Sequence, residues 1–198
     1  MVKTASEIIS ELSSQYSAPK NRLLFLERSG VYHKIIRGLY ETEKNVSPVV
    51  LAASIYGPSY ISFEYALSYW NLIPERVSVL TMATTQKGKS KRFDTDFGSF
   101  IYRDIPKASF PFEVYIMLEN KRYFLIAGKE KAICDILYRE SPLGSVKQLK
   151  FFLCENMRIE QSDFDNLDFR ILHELCPLYK STNLKLLEKF LEKTGRKL

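Results

Sequence analysis

Two periodicities follow one another along this chain, and their order restricts the fold. Short β-prone runs come together between Val77 and Ile126, at Val77–Thr81, Phe100–Ile105, Val114–Leu118 and Arg122–Ile126. After Gly128 the apolar repeats are helical, over Lys129–Tyr138, Ser145–Asn156, Phe164–Leu175 and Leu184–Lys193. Strands in one block and helices in the next do not alternate as a βαβ sheet requires. They predict an α+β domain over residues 47–198, with an antiparallel sheet and carboxy-terminal helices. Glu119-Asn120-Lys121 is read as a hairpin turn. The last helix carries Leu184, Leu187, Phe190 and Leu191 on one face and Lys185, Lys189 and Lys193 on the other. That pattern is a packed face with a solvated back, or else a partner surface.

Helices also precede the strands. Ser47-Pro48 has the form of an N-cap with proline in the first turn, opening a helix through Tyr56 that Gly57-Pro58 ends. Ser62 is read as the cap of a helix bearing Phe63, Ala66, Leu67 and Trp70, with Asn71 at its left-handed end and Pro74 as its stop.

Residues 1–46 read as a separate small unit. Ile8, Ile9 and Leu12 mark an amphipathic helix, Pro19 opens a second with Leu23, Leu24 and Leu26, and Gly30 stops it. Val31–Tyr40 is β-prone and is broken by Gly38. Two helices and a short basic ribbon outline a reduced winged helix, followed by a polar linker at Glu41–Ser47. Lys20, Asn21, Arg22 and Arg28 are candidates for a DNA-facing helix, with Lys34 and Arg37 on the wing. Asparagine and arginine suit base edges, whereas wing lysines suit phosphates. Seven basic residues against five glutamates leave this unit only +2.

The whole chain carries +6, which is compatible with nucleic acid, an acidic protein or an anionic surface, and also with none of them. The densest positive stretch is a loop with Lys87, Lys89, Lys91 and Arg92, a candidate for DNA or protein contact or a solvated hairpin tip. Cys134, Cys154 and Cys176 lack CxxC spacing and sit among apolar residues, as free buried thiols do in a reducing compartment. No apolar run is long enough for a membrane span and none forms a leader, so the expected location is cytoplasmic.

Signals for catalysis, metal or a cofactor are sparse. His33 and His173 have no second ligand at metal spacing. Asp104 followed by Glu119-Asn120-Lys121 could present two carboxylates and a lysine to magnesium, as restriction-type nucleases do, but the second group falls in the expected turn. Glu64 and the Glu130, Lys131 and Asp135 cluster are read as structural, tying their helix to the Ser62 helix or the sheet.

Three stretches together resemble the abortive-infection AbiEi family of antitoxins. They are Ser59 to Glu75 (SYISFEYALSYWNLIPE), the threonine-rich Thr81–Thr85, and Ile126 to Leu137 (IAGKEKAICDIL). Arg37-Gly38-Leu39-Tyr40 is similar to the end of the family's winged helix. Order and spacing agree over residues 31–140. The chain departs from the family in its short amino-terminal unit, and in Gly128-Lys129 where a small residue and proline are usual. The resemblance implies a non-enzymatic antitoxin that opposes a nucleotidyltransferase-like toxin, directly or through its target. It also implies repression of its own operon through inverted repeats of operator DNA, on which a repressor would pair. Nothing in the sequence itself resembles an isologous interface, so a monomer is expected in solution. A regulator without a toxin is the alternative.

Overall fold

Residues 1–193 are described by the structure, a computed structural model. Residues 194–198 and the Lys193 side chain, which the sequence places in the second unit, lie outside the described residues.

The chain starts with β1 (Val2–Thr4), α1 (Ala5–Ser13), α2 (Pro19–Arg28), β2 (His33–Ile36) and β3 (Leu39–Glu41). Thr4 caps α1 through a reciprocal box, its hydroxyl accepting from the Glu7 amide while Glu7 accepts from the Thr4 amide. The three strands form an antiparallel sheet in the order β1-β3-β2. β1 is unannounced in the sequence, because three residues at a terminus carry no periodicity. Ile8, Leu23 and Tyr40 make a small core of their own, whereas Ile35 on β2 belongs to the main core. The small sheet thus packs into both cores.

A 3₁₀ turn at Pro48–Val50 and the short α3 (Ala52–Ile55) replace the single helix expected there. β4 (Ser59–Ile61), α4 (Phe63–Tyr69), β5 (Leu80–Thr84), β6 (Lys91–Thr95), β7 (Gly98–Asp104), β8 (Val114–Glu119) and β9 (Arg122–Ala127) follow. Their sheet has the order β6-β7-β5-β4-β9-β8. It is mixed, which corrects the antiparallel expectation: β4 runs parallel to β9 and β5 parallel to β7. The cause is that both hairpins dock through their second strand. The β6–β7 hairpin adds to β5 through β7, and the β8–β9 hairpin adds to β4 through β9.

The helices after the sheet are α5 (Lys129–Arg139), α6 (Val146–Phe151), a π-helical continuation at Phe152–Asn156, α7 (Gln161–Asp165), α8 (Phe169–Tyr179) and α9 (Thr182–Lys193). α9 buries Leu184, Leu187 and Leu191 fully and leaves Lys185 and Lys189 exposed, as its pattern requires. Cys134 and Cys176 are buried free thiols and Cys154 is half-buried. Among the described residues no helix is long and apolar enough to cross a membrane.

Candidate functional site

Lys131 and Asp135 stand one turn apart on α5, and both are wholly inside the protein. Two buried opposite charges remain charged only if they are paired and their other hydrogen-bonding positions are filled. Here they are. Asp135 Oδ1 accepts from Lys131 Nζ at 2.9 Å and from the Tyr179 hydroxyl at 2.6 Å. Oδ2 accepts from Ser62 Oγ at 2.6 Å and from the Tyr60 hydroxyl at 3.0 Å. The ammonium also donates to Tyr179 Oη and lies 4.6 Å from the centre of that ring and 5.7 Å from that of Tyr60. Burial, with the negative Asp135 beside them, pushes both tyrosine hydroxyls well above the usual phenol range. They therefore remain donors.

This knot gathers β4, the turn after it, α5 and α8. The turn is strained. Phe63, a buried aromatic, has φ +56°, a conformation that costs a bulky residue roughly 1–2 kcal/mol. Thr81 holds it there. Its carbonyl accepts from the Ser62 amide at 2.9 Å, and its hydroxyl donates to the Ser62 carbonyl at 2.7 Å while accepting from the Tyr65 amide at 3.0 Å. The Ser62 hydroxyl is committed to Asp135, so Ser62 marks the start of α4 without capping it. With every member of the knot at most 2% exposed, no substrate reaches it. It is a joint between elements.

The other members of the sequence cluster are ties of the same kind. Glu130 accepts from the Asp168 amide at 2.8 Å, at the start of α8. Glu64 holds Arg103 through two contacts of 2.7 and 3.0 Å. Beside that pair lies a polar cleft of about 250 Å³ lined by Glu64, Ser90, Arg103, Arg139 and Glu140.

The amino-terminal candidates divide. Lys20, Asn21 and Arg28 are exposed on α2, as are Lys34 on β2 and Arg37 in the turn beyond it. Arg22 is instead sandwiched between Tyr16 and Phe25, its guanidinium carbon 4.8 Å from each ring centre. The basic loop is shorter than its sequence suggested. Lys91 and Arg92 lie on β6, and Lys87 and Lys91 both reach over Tyr56, at 4.9 and 4.5 Å. Arg92 is paired with Asp94. Among the described residues, Lys89 alone of the four has no partner.

The carboxylate–lysine trio does not assemble. Asp104 ends β7 and Glu119 ends β8, with β5, β4 and β9 between them. Four strand spacings separate the two by roughly 19 Å. Asp104 is occupied in organising the basic loop, accepting from the Lys87 and Gly88 amides at 2.6 Å each. The turn falls where the sequence places it but is shorter: Asn120 and Lys121, both with positive φ, form it, while Glu119 is on β8 and pairs across the hairpin with Arg122. Among the described residues, no three histidine, cysteine or carboxylate groups are placed to hold a metal.

Two features escaped the sequence. Glu41, fully buried at the end of β3, is gripped by Arg122 of β9 at 2.6 and 3.2 Å and by the amino terminus. Burial by itself would raise this carboxyl, but those two cations and the Thr42 amide hold it down at about 2. The second feature is apolar. Ile116 faces Leu125 and Leu118 faces Tyr123 across the β8–β9 hairpin, and all four are exposed. Ile116 and Leu125 border two grooves of about 400 and 310 Å³, the first reaching Tyr123 and Ala53 and the second Pro58 and Phe110. Alternation of exposed apolar residues in both strands was the available signal.

Neither a protein-family model nor a curated protein matches this chain.

Proposed function

We propose that the chain is the antitoxin of a bacterial toxin–antitoxin pair, acting in the cytoplasm against a nucleotidyltransferase-like toxin and repressing its own operon. The observation that carries this is the composition of the buried joint. Tyr60 and Ser62 come from the first stretch that resembles the AbiEi family, Thr81 from the second, and Lys131 and Asp135 from the third. Stretches that resemble a family by chance have no reason to meet at one hydrogen-bonded centre across 73 residues of chain. Here the resembling residues are those that fix the strand-to-helix turn and lock it to α5.

Repression would belong to the amino-terminal unit. Its order of strand, two helices and two strands supports reading it as a reduced winged helix. Lys20, Asn21, Arg28, Lys34 and Arg37 are the exposed residues available for DNA, with Arg22 committed to its aromatic stack. Toxin contact, if direct, falls to the larger unit, where Lys89 and the hairpin face are free.

The deciding experiment is growth of cells induced for the neighbouring open reading frame, with and without this chain. Arrest by the neighbour, relieved by the chain, is the expected outcome. A harmless neighbour, or an arrest the chain leaves unchanged, removes the antitoxin role. A salt-titrated gel shift on the upstream DNA then tests regulation without a toxin.

A further inference from the structure

The two edges of the six-stranded sheet are built differently. β6 is Lys-Arg-Phe-Asp-Thr, and its charges discourage another strand from pairing with it. β8 is Val-Tyr-Ile-Met-Leu-Glu, without lysine, arginine or proline, and among the described residues it pairs only with β9. An apolar strand whose one charge is the terminal Glu119, with a free backbone edge, is a template for another strand.

We infer that β8 is the interface of a homodimer, in which it pairs antiparallel with β8 of a second copy. Backbone geometry and charge together select one register. A two-residue turn closes on a hydrogen-bonded pair, here Glu119 and Arg122, so the residues at 119, 117 and 115 direct their backbone groups toward β9. Val114, Ile116 and Leu118 direct theirs toward the open edge. A symmetric pairing must therefore bring even-numbered residues opposite one another. Two registers do so near the middle of the strand. Ile116 opposite Ile116 of the second copy sets Glu113 against Glu119, a repulsive pair at each end. Moving the axis to Met117 sets Ile116 against Leu118 twice, and Glu113 against Lys121 at each end. The second register matches charge as well as apolar surface.

Pairing of this kind satisfies the free amides and carbonyls of β8 and covers the flanks of Tyr115, Ile116 and Leu118, which are 44%, 70% and 61% exposed. Exposed Ile116, Leu118, Tyr123 and Leu125 add apolar surface beside that edge, and a standard interface takes ~800 Å² from each partner. Strand pairing covers part of that surface, which makes the dimer a weak, concentration-dependent one. The hairpin is held in place for this role by Arg122, tied to Glu41 and Glu43 of the amino-terminal unit. The inference does not depend on the antitoxin role.

Sedimentation velocity of the full chain from about 1 to 200 µM tests it. The wild-type protein should pass from monomer to dimer over that range. Ile116→Lys, at a 70% exposed position, should keep the melting temperature and remain monomeric. Adding Leu118→Glu to Ile116→Lys should restore the dimer, because the introduced lysine and glutamate then face each other twice across the axis. A wild-type chain that stays monomeric throughout overturns the proposal, and so does a monomer that associates only with the neighbouring gene's product. A dimer indifferent to Ile116→Lys, or a double variant that fails to recover, overturns it equally.

Discussion

Two ionic centres hold this molecule together, and they differ in how far water reaches them. Lys131 and Asp135 are completely enclosed, with each oxygen of the carboxylate taking two donors. Glu41 is enclosed too, but Arg122 is partly exposed, and Glu43 and the amino terminus that complete the group are open to solvent. The first joins strand to helix within the main core, and the second ties the amino-terminal sheet to the β8–β9 hairpin across 81 residues. A dry pair gains full electrostatic strength but depends on both partners being present, since either one left alone is a buried unpaired charge. A wet pair loses less on breaking, because water replaces the missing partner. The inner centre should therefore govern whether the chain folds, and the outer one how firmly its parts are attached.

The sharpest way to break that contrast is at Asp135. Asp135→Ala strands the Lys131 ammonium and leaves three hydroxyl donors without their acceptor, and should cost about 3–5 kcal/mol. Urea denaturation at neutral pH measures it. Adding Lys131→Met should recover part of the loss, since the stranded charge is then gone. A loss below about 1 kcal/mol for Asp135→Ala would mean that water enters the centre after all, and the contrast would fail.

Glu41 tests the wet side. Its carboxyl titrates lower in the folded protein, at about 2, than in the unfolded chain. Its stabilising contribution is therefore complete above the unfolded value near 4.3 and is lost as pH falls through that value toward 2. Glu41→Gln should cost on the order of 1–2 kcal/mol at pH 7, solvent around Arg122 reducing the full linkage value. The variant and the wild-type protein should converge in stability as pH falls from 5 toward 2. Raising the salt concentration at pH 7 should narrow their difference, whereas the deficit of Asp135→Ala should persist, because salt screens solvent-facing charges. Equal salt sensitivity in the two variants would erase the distinction.

These centres also show what the amino-acid sequence reveals. Lys131 and Asp135 at helical spacing on an apolar stretch point to a buried tie to the Ser62 helix or the sheet, but Ser62 itself reads as a helix cap rather than as the partner its hydroxyl proves to be. Tyr179 is not legible, because it lies 44 residues after Asp135 and nothing local marks the contact. Glu41 and Arg122 are beyond reach for the same reason. Strand order suffers likewise: the hairpins are visible in alternation and turn residues, while the strand by which each docks depends on the three-residue β4, too short to show a period. Helix breaks are a mixed case. Asp168 caps α8 by accepting from the Arg170 amide, and an aspartate after Asn166-Leu167 is a readable start signal inside the expected Phe164–Leu175 helix. The π-helical turn at Phe152–Asn156 continues the apolar spacing of α6 and leaves no such mark. Of the candidate surface residues, sequence identified charge correctly and commitment poorly. Arg22, Lys87, Lys91 and Arg92 are basic as read, yet each is engaged within the protein.

The smallest expected effect completes the series from dry to wet. Arg92 and Asp94 form an ion pair on β6 with both side chains more than half exposed, and Ser99 donates to Asp94 at 2.6 Å. The arginine holds the aspartate below the usual carboxylate range, and Ser99 adds to this. Water and salt already compete for both charges, so Asp94→Asn should leave the melting temperature within about 2 °C of the wild type. Its informative consequence is functional. The substitution frees Arg92 and raises the positive charge of the segment that contains Lys89. If that segment meets phosphates, binding to upstream DNA should strengthen and the salt slope should steepen by about one unit. If it meets an acidic toxin surface, growth rescue should improve while the gel shift stays unchanged. No change in either assay assigns the segment to solvent, and leaves α2 and the turn at Arg37 as the positive surface through which this chain would act.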